Sequence, residues 1–340
     1  MKEMISVGAA DEPMNFNISF SVRKRRRMAA KTQREVVPVF FAADDNYLPF
    51  LDVAIASCKE NACKKYDYRI YVLHSGINGK KAEAVMRLAD EHFKILFVDV
   101  SERLAKIADC LRLRDYYTSA IYYRLFIVGM FPEYDKAVYL DCDTVVLGDV
   151  SELYFTDLKR NLIGAVADGV VSAVPVFCEY TQKALGIEGG KYFNSGVIVM
   201  NLKYFRKENF YQAFYDILSS YEFRVAPDQD CLNLLCKNKV HYFHDGWNRM
   251  PQAVNVSSAP IKLVHYNLAQ KPWHYDGVKY EEYFWEYAKK SVFYQEIVAQ
   301  KEAFTPEMAA RDEAGGAALL ALAKAEAERG DNYYARLLKK

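Results

Sequence analysis

The stretch that most constrains the fold runs from Lys136 to Gly148, Lys-Ala-Val-Tyr-Leu-Asp-Cys-Asp-Thr-Val-Val-Leu-Gly. Val138, Tyr139 and Leu140 favour extended backbone, and their unbroken apolarity suits a strand buried on both faces of a parallel sheet. Side chains alternate along a strand, so Asp141 and Asp143 share one side while Cys142 points to the other as a small core residue. Two carboxylates on one side repel unless positive charge lies between them. A hard divalent cation held by oxygen ligands is one answer, and it outlines a phosphate-handling site. A plain turn is the other, since Asp is a common turn residue.

The same pattern recurs upstream. Val36-Val-Pro-Val-Phe-Phe-Ala-Ala reads as a first buried strand stopping at Asp44-Asp45-Asn46-Tyr47. Tyr68 to Leu73 and Ile95 to Val100 read as a second and third, with helical patterns at Pro49 to about Asn61 and Lys80 to about His92. Strand and helix in alternation predict an α/β fold with a parallel sheet and right-handed crossovers. Ligands collect beyond the carboxyl ends of such strands, where the Asp44 to Tyr47 cluster falls. Asp44 and Asn46 suit the edge of a nucleobase and Tyr47 its face; the cluster equally suits the start of the next helix.

Tyr117 to Pro132 predicts a helix capped by Thr118 or Ser119 and closed by Pro132. Arg124 lies within it, either facing solvent or buried and needing anionic partners such as the aspartates at the next strand's end. Leu162 to Ala167 repeats the apolar strand ending in a carboxylate, Asp168. Residues 169–191 lack strong periodicity, which predicts a long loop or lid. Tyr192-Phe193-Asn194-Ser195-Gly196 leads into another strand, then a helix from about Lys203 to Ser220. Asp228-Gln229-Asp230 opens a further helix, where acids also suit the positive helix end. His241 and His244 fall on opposite faces of a strand and form no pair. An apolar approach carries His265, with Lys271 six residues on. One His among oxygen ligands shifts preference from Mg²⁺ toward Mn²⁺, and a lysine at that reach neutralises a phosphate.

Composition bounds the rest. Balanced charge, 45 basic against 44 acidic residues, sets up no general field for nucleic acid. Seven cysteines without a CxxC pair argue against a disulfide framework or structural zinc and suit a reducing compartment, hence a cytoplasmic location. No window approaches the roughly 18 apolar residues of a membrane span. The organisation expected is a basic mobile arm at 1–35, a catalytic domain at 36–280 and a helical tail at 281–340. The tail, rich in Ala, Glu, Arg and Lys from Ala309 onward and broken by Gly315-Gly316 and Gly330, is expected to stand exposed or bind a partner. The cluster Arg23 to Arg27 offers peripheral attraction to an anionic membrane, or is a solvated tail.

Five ordered motifs then resemble those of family 8 glycosyltransferases: Phe41 to Tyr47, Tyr139-Leu-Asp-Cys-Asp-Thr, Phe193-Asn-Ser-Gly-Val, Asp228-Gln-Asp, and His265 to Lys271-Pro-Trp-His. These are retaining, UDP-sugar-dependent enzymes of the GT-A fold, including bacterial lipopolysaccharide galactosyl- and glucosyltransferases and the glycogenins. The resemblance covers about residues 37–280. It implies a Rossmann-like, mostly parallel sheet flanked by helices, and Mn²⁺, with Mg²⁺ as an alternative, on Asp141, Asp143 and His265. It implies a UDP-hexose held by Ala42, Asp44, Asn46, Asp141, Cys142 and Lys271, with Asp44 and Asn46 reading the uracil and Lys271 on the diphosphate. Arg124, Asp141 and Asp228 would face the donor sugar, Asp168 and Asn194 would lie near sugar and acceptor, and Gln229 would face the β side of the anomeric carbon. The acceptor expected is a glycan or glycolipid of the cell surface. One departure is Leu268, where similar sequences carry a glycine that lets backbone approach the diphosphate.

Two other functions fit parts of the sequence. Tyr-Leu-Asp141-Cys-Asp143-Thr-Val superficially fits the nucleophile strand of a haloacid-dehalogenase-type phosphatase, although no later acidic pair with a preceding lysine is convincingly placed. A non-catalytic sugar-nucleotide-binding protein is the other, with Leu268 as its mark.

Overall fold

The computed structural model describes residues 34–107, 119–254 and 256–339. Cys110, the cap candidate Thr118 and the arm up to Gln33 lie outside them. Among the described residues nine strands form: β1 (Val36–Ala42), β2 (Asp67–His74), β3 (Phe93–Asp99), β4 (Ala137–Leu140), β5 (Thr144–Val146), β6 (Ile163–Ala167), β7 (Phe193–Met200), β8 (Val240–Tyr242) and β9 (Leu263–His265). Seven build one sheet in the order β3-β2-β1-β4-β7-β6-β8, in which only β7 runs against the rest. The remaining two, β5 and β9, pair antiparallel, with Thr144 opposite His265.

The helices of the first half are α1 (Leu48–Glu60), α2 (Gly79–Met86), α3 (Ser101–Ile107), α4 (Tyr123–Met130), α5 (Ser151–Phe155), α6 (Gly169–Ala173) and α7 (Pro175–Ala184). Those of the second are α8 (Leu202–Lys207), α9 (Phe210–Ser220), α10 (Pro227–Leu235), α11 (Glu281–Ala288), α12 (Tyr294–Glu302), α13 (Pro306–Glu328) and α14 (Tyr333–Leu338). Alternation along β1 explains why its apolar run is continuous. Val39 and Phe41 bury with Leu51 and Ile55 of α1 on one face, and Phe40 buries with Phe126 of α4 and Phe131 on the other. Each face thus has its own core, and the sheet is the partition between them.

Several elements differ from the sequence reading for identifiable reasons. The helix expected up to His92 stops at Met86, and Asp90 Oδ1 accepts from the backbone N–H of His92 and Phe93 in a turn that precedes β3. The helix expected from Lys203 to Ser220 is two, α8 and α9, divided at Asn209, whose φ of 54° is left-handed. Residues 169–191 are mostly helical rather than a loop. Asp168 caps α6 by accepting from Val170 and Val171 N–H, and Pro175 starts α7 with the fixed φ that suits a first helical turn.

The end of the chain is helical but does not stand free. The face of α13 carrying Ala323, Glu326 and Ala327 is buried, and the helix lies along α7. Glu326 accepts from Tyr221 Oη at 3.2 Å and pairs with Arg224 at 3.0 Å and Arg329 at 3.2 Å. Alanine's small side chain permits this close helix contact, and the helix runs through Gly315 and Gly316 without a break.

Candidate active site

The turn after β4 carries the two aspartates. Thr144 Oγ1 donates to the Asp141 carbonyl at 2.8 Å, closing that turn, and Cys142 buries away from the aspartates with its thiol donating to Ala42 O at 3.0 Å. Asp141 Oδ1 accepts from Arg124 Nη2 at 2.9 Å and from Tyr139 Oη at 2.8 Å. Arg124 is buried: its Nη1 donates to Ser195 O at 2.5 Å, its Nε lies 3.5 Å from Asp228 Oδ2, and its guanidinium stands 4.4 Å from the Tyr139 ring centre. Burial works against that charge, but Asp141 and its neighbours overcome it and keep the guanidinium firmly protonated. Of the two alternatives for Arg124, the buried one holds.

Because β5 pairs with β9, His265 arrives beside the aspartates. Its Nε2 lies 3.1 Å from Asp143 Oδ1 and 3.7 Å from Asp141 Oδ2. Its Nδ1 lies 3.0 Å from Asn248 Oδ1, while Asn248 Nδ2 donates to Asn194 Oδ1 at 2.9 Å. The amide so oriented accepts from Nδ1–H, which leaves the Nε2 lone pair facing the carboxylates. One ligand atom from each of Asp141, Asp143 and His265 lies within 4.8 Å of the others, and Asp143 Oδ1 is buried without a hydrogen bond among the described residues. An imidazole lone pair and two carboxylates at that spacing fit a divalent cation. Gly196 makes room for them, since a Cβ there would overlap the His265 ring and the Asp141 carboxylate.

Lys271 also reaches this point. Its ammonium donates to Asp143 Oδ2 and to the Tyr266 carbonyl, and the adjoining Trp273 anchors the loop by stacking on Phe50 at 3.9 Å. Burial pushes the Asp143 carboxyl upward, but the Lys271 ammonium beside it outweighs this and holds it below the ordinary carboxylate range. Burial likewise lowers Lys271, and Asp143 more than reverses this. Leu268, at the position of the absent glycine, adopts φ 57°, the left-handed backbone that glycine would take without strain.

A second group adjoins the first. Gln229 is held at both ends, donating from Nε2 to Asp168 Oδ2 at 3.2 Å and accepting at Oε1 from Ser195 N–H at 2.9 Å. Asp168 Oδ2 also accepts from Asn194 Nδ2 at 3.1 Å, and Ser195 Oγ donates to Asp228 Oδ2 at 3.2 Å. Burial raises the Asp228 carboxyl against the pull of Arg124. Next to it, Asp230 accepts from Tyr180 Oη at 2.7 Å and Tyr192 Oη at 2.6 Å, and burial pushes its carboxyl up to about 7.

Asp141, Asp143, His265, Lys271, Arg124 and the Asp168–Asn194–Asp228–Gln229 group line one cavity of about 780 Å³ together with Ala42, Asp44 and Tyr47, while Asn248 and Asp230 stand behind its lining. Asn46 is exposed on the turn beside it, its N–H donating to Asp44 Oδ1 at 3.0 Å. Sequence reasoning missed Asn248, Tyr139 as a hydrogen-bond donor, and Ser195. Ser195 lay inside a recognised motif; Asn248 sits in a stretch without periodicity and left no signal.

The family model for Glycosyl transferase family 8 matches residues 38–277. A putative glycosyltransferase of Haemophilus influenzae is 29% identical over 71% of this chain and 74% of its own length. The lipopolysaccharide 1,2-glucosyltransferase of Escherichia coli K12 is 28% identical over 75% and 79%. Among solved structures, the bifunctional glycosyltransferase WbbM superposes with a TM-score of 0.70 at 27% identity, covering 79% of this chain and 52% of that one. The galactosyltransferase LgtC, solved with donor and acceptor sugar analogs, gives 0.64 at 28% identity, covering 75% and 96%. No described helix is long and apolar enough to cross a membrane. The chain belongs to glycosyl transferase family 8 and is a hexosyltransferase with the GT-A fold.

Proposed function

We propose that the protein transfers a hexose, glucose or galactose, from its UDP derivative to a hydroxyl of a cell-surface glycan or glycolipid, with retention at the anomeric carbon and dependence on Mn²⁺. The observation that carries this reading is the convergence of Asp141, Asp143, His265 and Lys271 at one end of a cavity whose other polar groups are Arg124, Asp168, Asn194, Asp228 and Gln229. Bound at the first three, the cation would supply Lewis-acid stabilisation of the departing diphosphate. The Lys271 ammonium would add a second positive charge there, and Asp44, Asn46 and Tyr47 would receive the uracil.

During transfer the bond between the sugar's C1 and the β-phosphate oxygen breaks, its electron pair leaving with UDP. The acceptor oxygen bonds to C1 on the same face, and its proton passes to the departing phosphate. Gln229, a neutral amide already engaged at both ends, is a poor nucleophile and a well-fixed dipole beside developing positive charge, which supports front-face attack over a covalent intermediate.

The family match leaves no support for the phosphatase reading. The test of this proposal is Asp143→Ala: transfer and Mn²⁺-dependent UDP binding are both expected to disappear. Wild-type transfer by that variant would overturn the assignment. A screen of UDP-glucose, UDP-galactose and their N-acetyl forms identifies the donor.

A further inference from the structure

The residues matched by the family end at 277, yet α13, which begins at Pro306, forms a wall of the same cavity. Asp312, Gly315, Gly316 and Leu319 recur at three- and four-residue spacing, so they share one helix face, and that face lines the cavity. Val171, Val174 and Phe177 of the α6–α7 region line it too, continuous with Asp168. Adjacent glycines weaken a helix interior, and a Cβ on Gly316 would meet nothing within 4 Å. Side chains have been trimmed here where the fold did not require it. The wall is fixed in place, since Glu326 ties one end of α13 to Arg224 and Tyr221, and Asp312 accepts from Tyr275 Oη at 2.9 Å nearer the other.

A second observation points to an occupant. Asn267, only 9% exposed, lines the cavity with its Oδ1 lacking any hydrogen-bond partner among the described residues. A buried carbonyl oxygen left so is costly unless a ligand hydroxyl reaches it. Beside it Leu268 stays 48% exposed and lines the cavity.

We propose that α13, with Asn267 and Leu268, forms the acceptor subsite, and that the acceptor is a sugar with an apolar aglycone. Its hydroxyls meet Asn267 and the donor-side polar groups; its aglycone lies against Leu319, Phe177, Val174 and Leu268. A longer glycan would set most of its hydroxyls against carbon, since Asp312 is the one acid among the α13 residues on this wall and shares its Oδ2 with Tyr275. The inference rests on the glycosyltransferase reading and narrows its acceptor class.

The experiment uses the full chain with Mn²⁺ and the UDP-hexose that the donor screen selects, and compares p-nitrophenyl with methyl glycosides of glucose and galactose. The wild type is expected to prefer the aryl acceptors by about tenfold or more in kcat/KM. Gly316→Leu, which fills the subsite, and Leu319→Ala, which removes an apolar contact without adding bulk, should each erase most of that preference through acceptor KM. UDP affinity should stay within about twofold, and Ala317→Leu on the outer side of the same helix should retain the preference. Equal use of aryl and methyl acceptors, a preference untouched by both variants, or no transfer to any aryl acceptor by a protein that binds UDP overturns the inference. A protein that does not bind UDP in Mn²⁺ overturns instead the reading on which it rests.

Discussion

Asn248 and His265 share a hydrogen bond of 3.0 Å that decides which ring nitrogen faces Asp141 and Asp143. Replacing Asn248 with Ala frees the ring to rotate and to change tautomer. Mn²⁺ affinity is then expected to fall by about 10–100-fold while the fold is retained, measured by calorimetric titration with UDP present.

Lys271 is paired with Asp143 before any substrate arrives. Lys271→Met removes a cation from the leaving-group side, so kcat should drop by roughly a hundredfold or more in a UDP-release assay. Without metal, the variant leaves the Asp143 carboxylate short of a partner and should lose about 3 kcal/mol of stability. Mn²⁺ is therefore expected to raise its melting temperature by more than it raises that of the wild type.

Leu268 carries left-handed backbone at φ 57° while half its side chain remains in solvent. Leu268→Gly should relieve about 1 kcal/mol of backbone strain, less the extra freedom glycine gives the unfolded chain. Leu268→Val, β-branched at the same φ, should be less stable than the wild type. Urea midpoints of the three proteins check the order.

Asp230 sets a pH dependence. Its folded carboxyl is raised to about 7, so between the unfolded value near 4 and about pH 7 the native state holds the proton more tightly than the unfolded chain. Its contribution to stability is greatest in acid, declines as pH rises through that window, and levels off above it. In Asp230→Asn this part of the slope should vanish, read from denaturation midpoints across the same range.

The strands leading to Asp44, Asp141 and Asp168 were legible because runs buried on both faces must be apolar and must end where polar residues begin. Direction was not legible: a reversed strand buried on both faces reads like a parallel one, and β7 gave no sign of its orientation. The pairing of β5 with β9 was hidden as well, since three-residue strands carry too little pattern. His265 was therefore visible only as a candidate until its register with Thr144 was known. The helices at 169–184 were obscured because their cap, Asp168, drew attention as a site residue. The docking of α13 was masked by a composition of Ala, Glu and Lys that reads as solvent-facing, although alanine also suits tight contact.

The late pairing of β9 has a consequence for biosynthesis. A nascent chain emerging from the ribosome exposes its paired aspartates long before the imidazole and the ammonium that complete their surroundings. A translation product ending just before residue 265 carries all seven strands of the central sheet yet has neither the imidazole nor the ammonium beside Asp141 and Asp143, so it would have no complete centre.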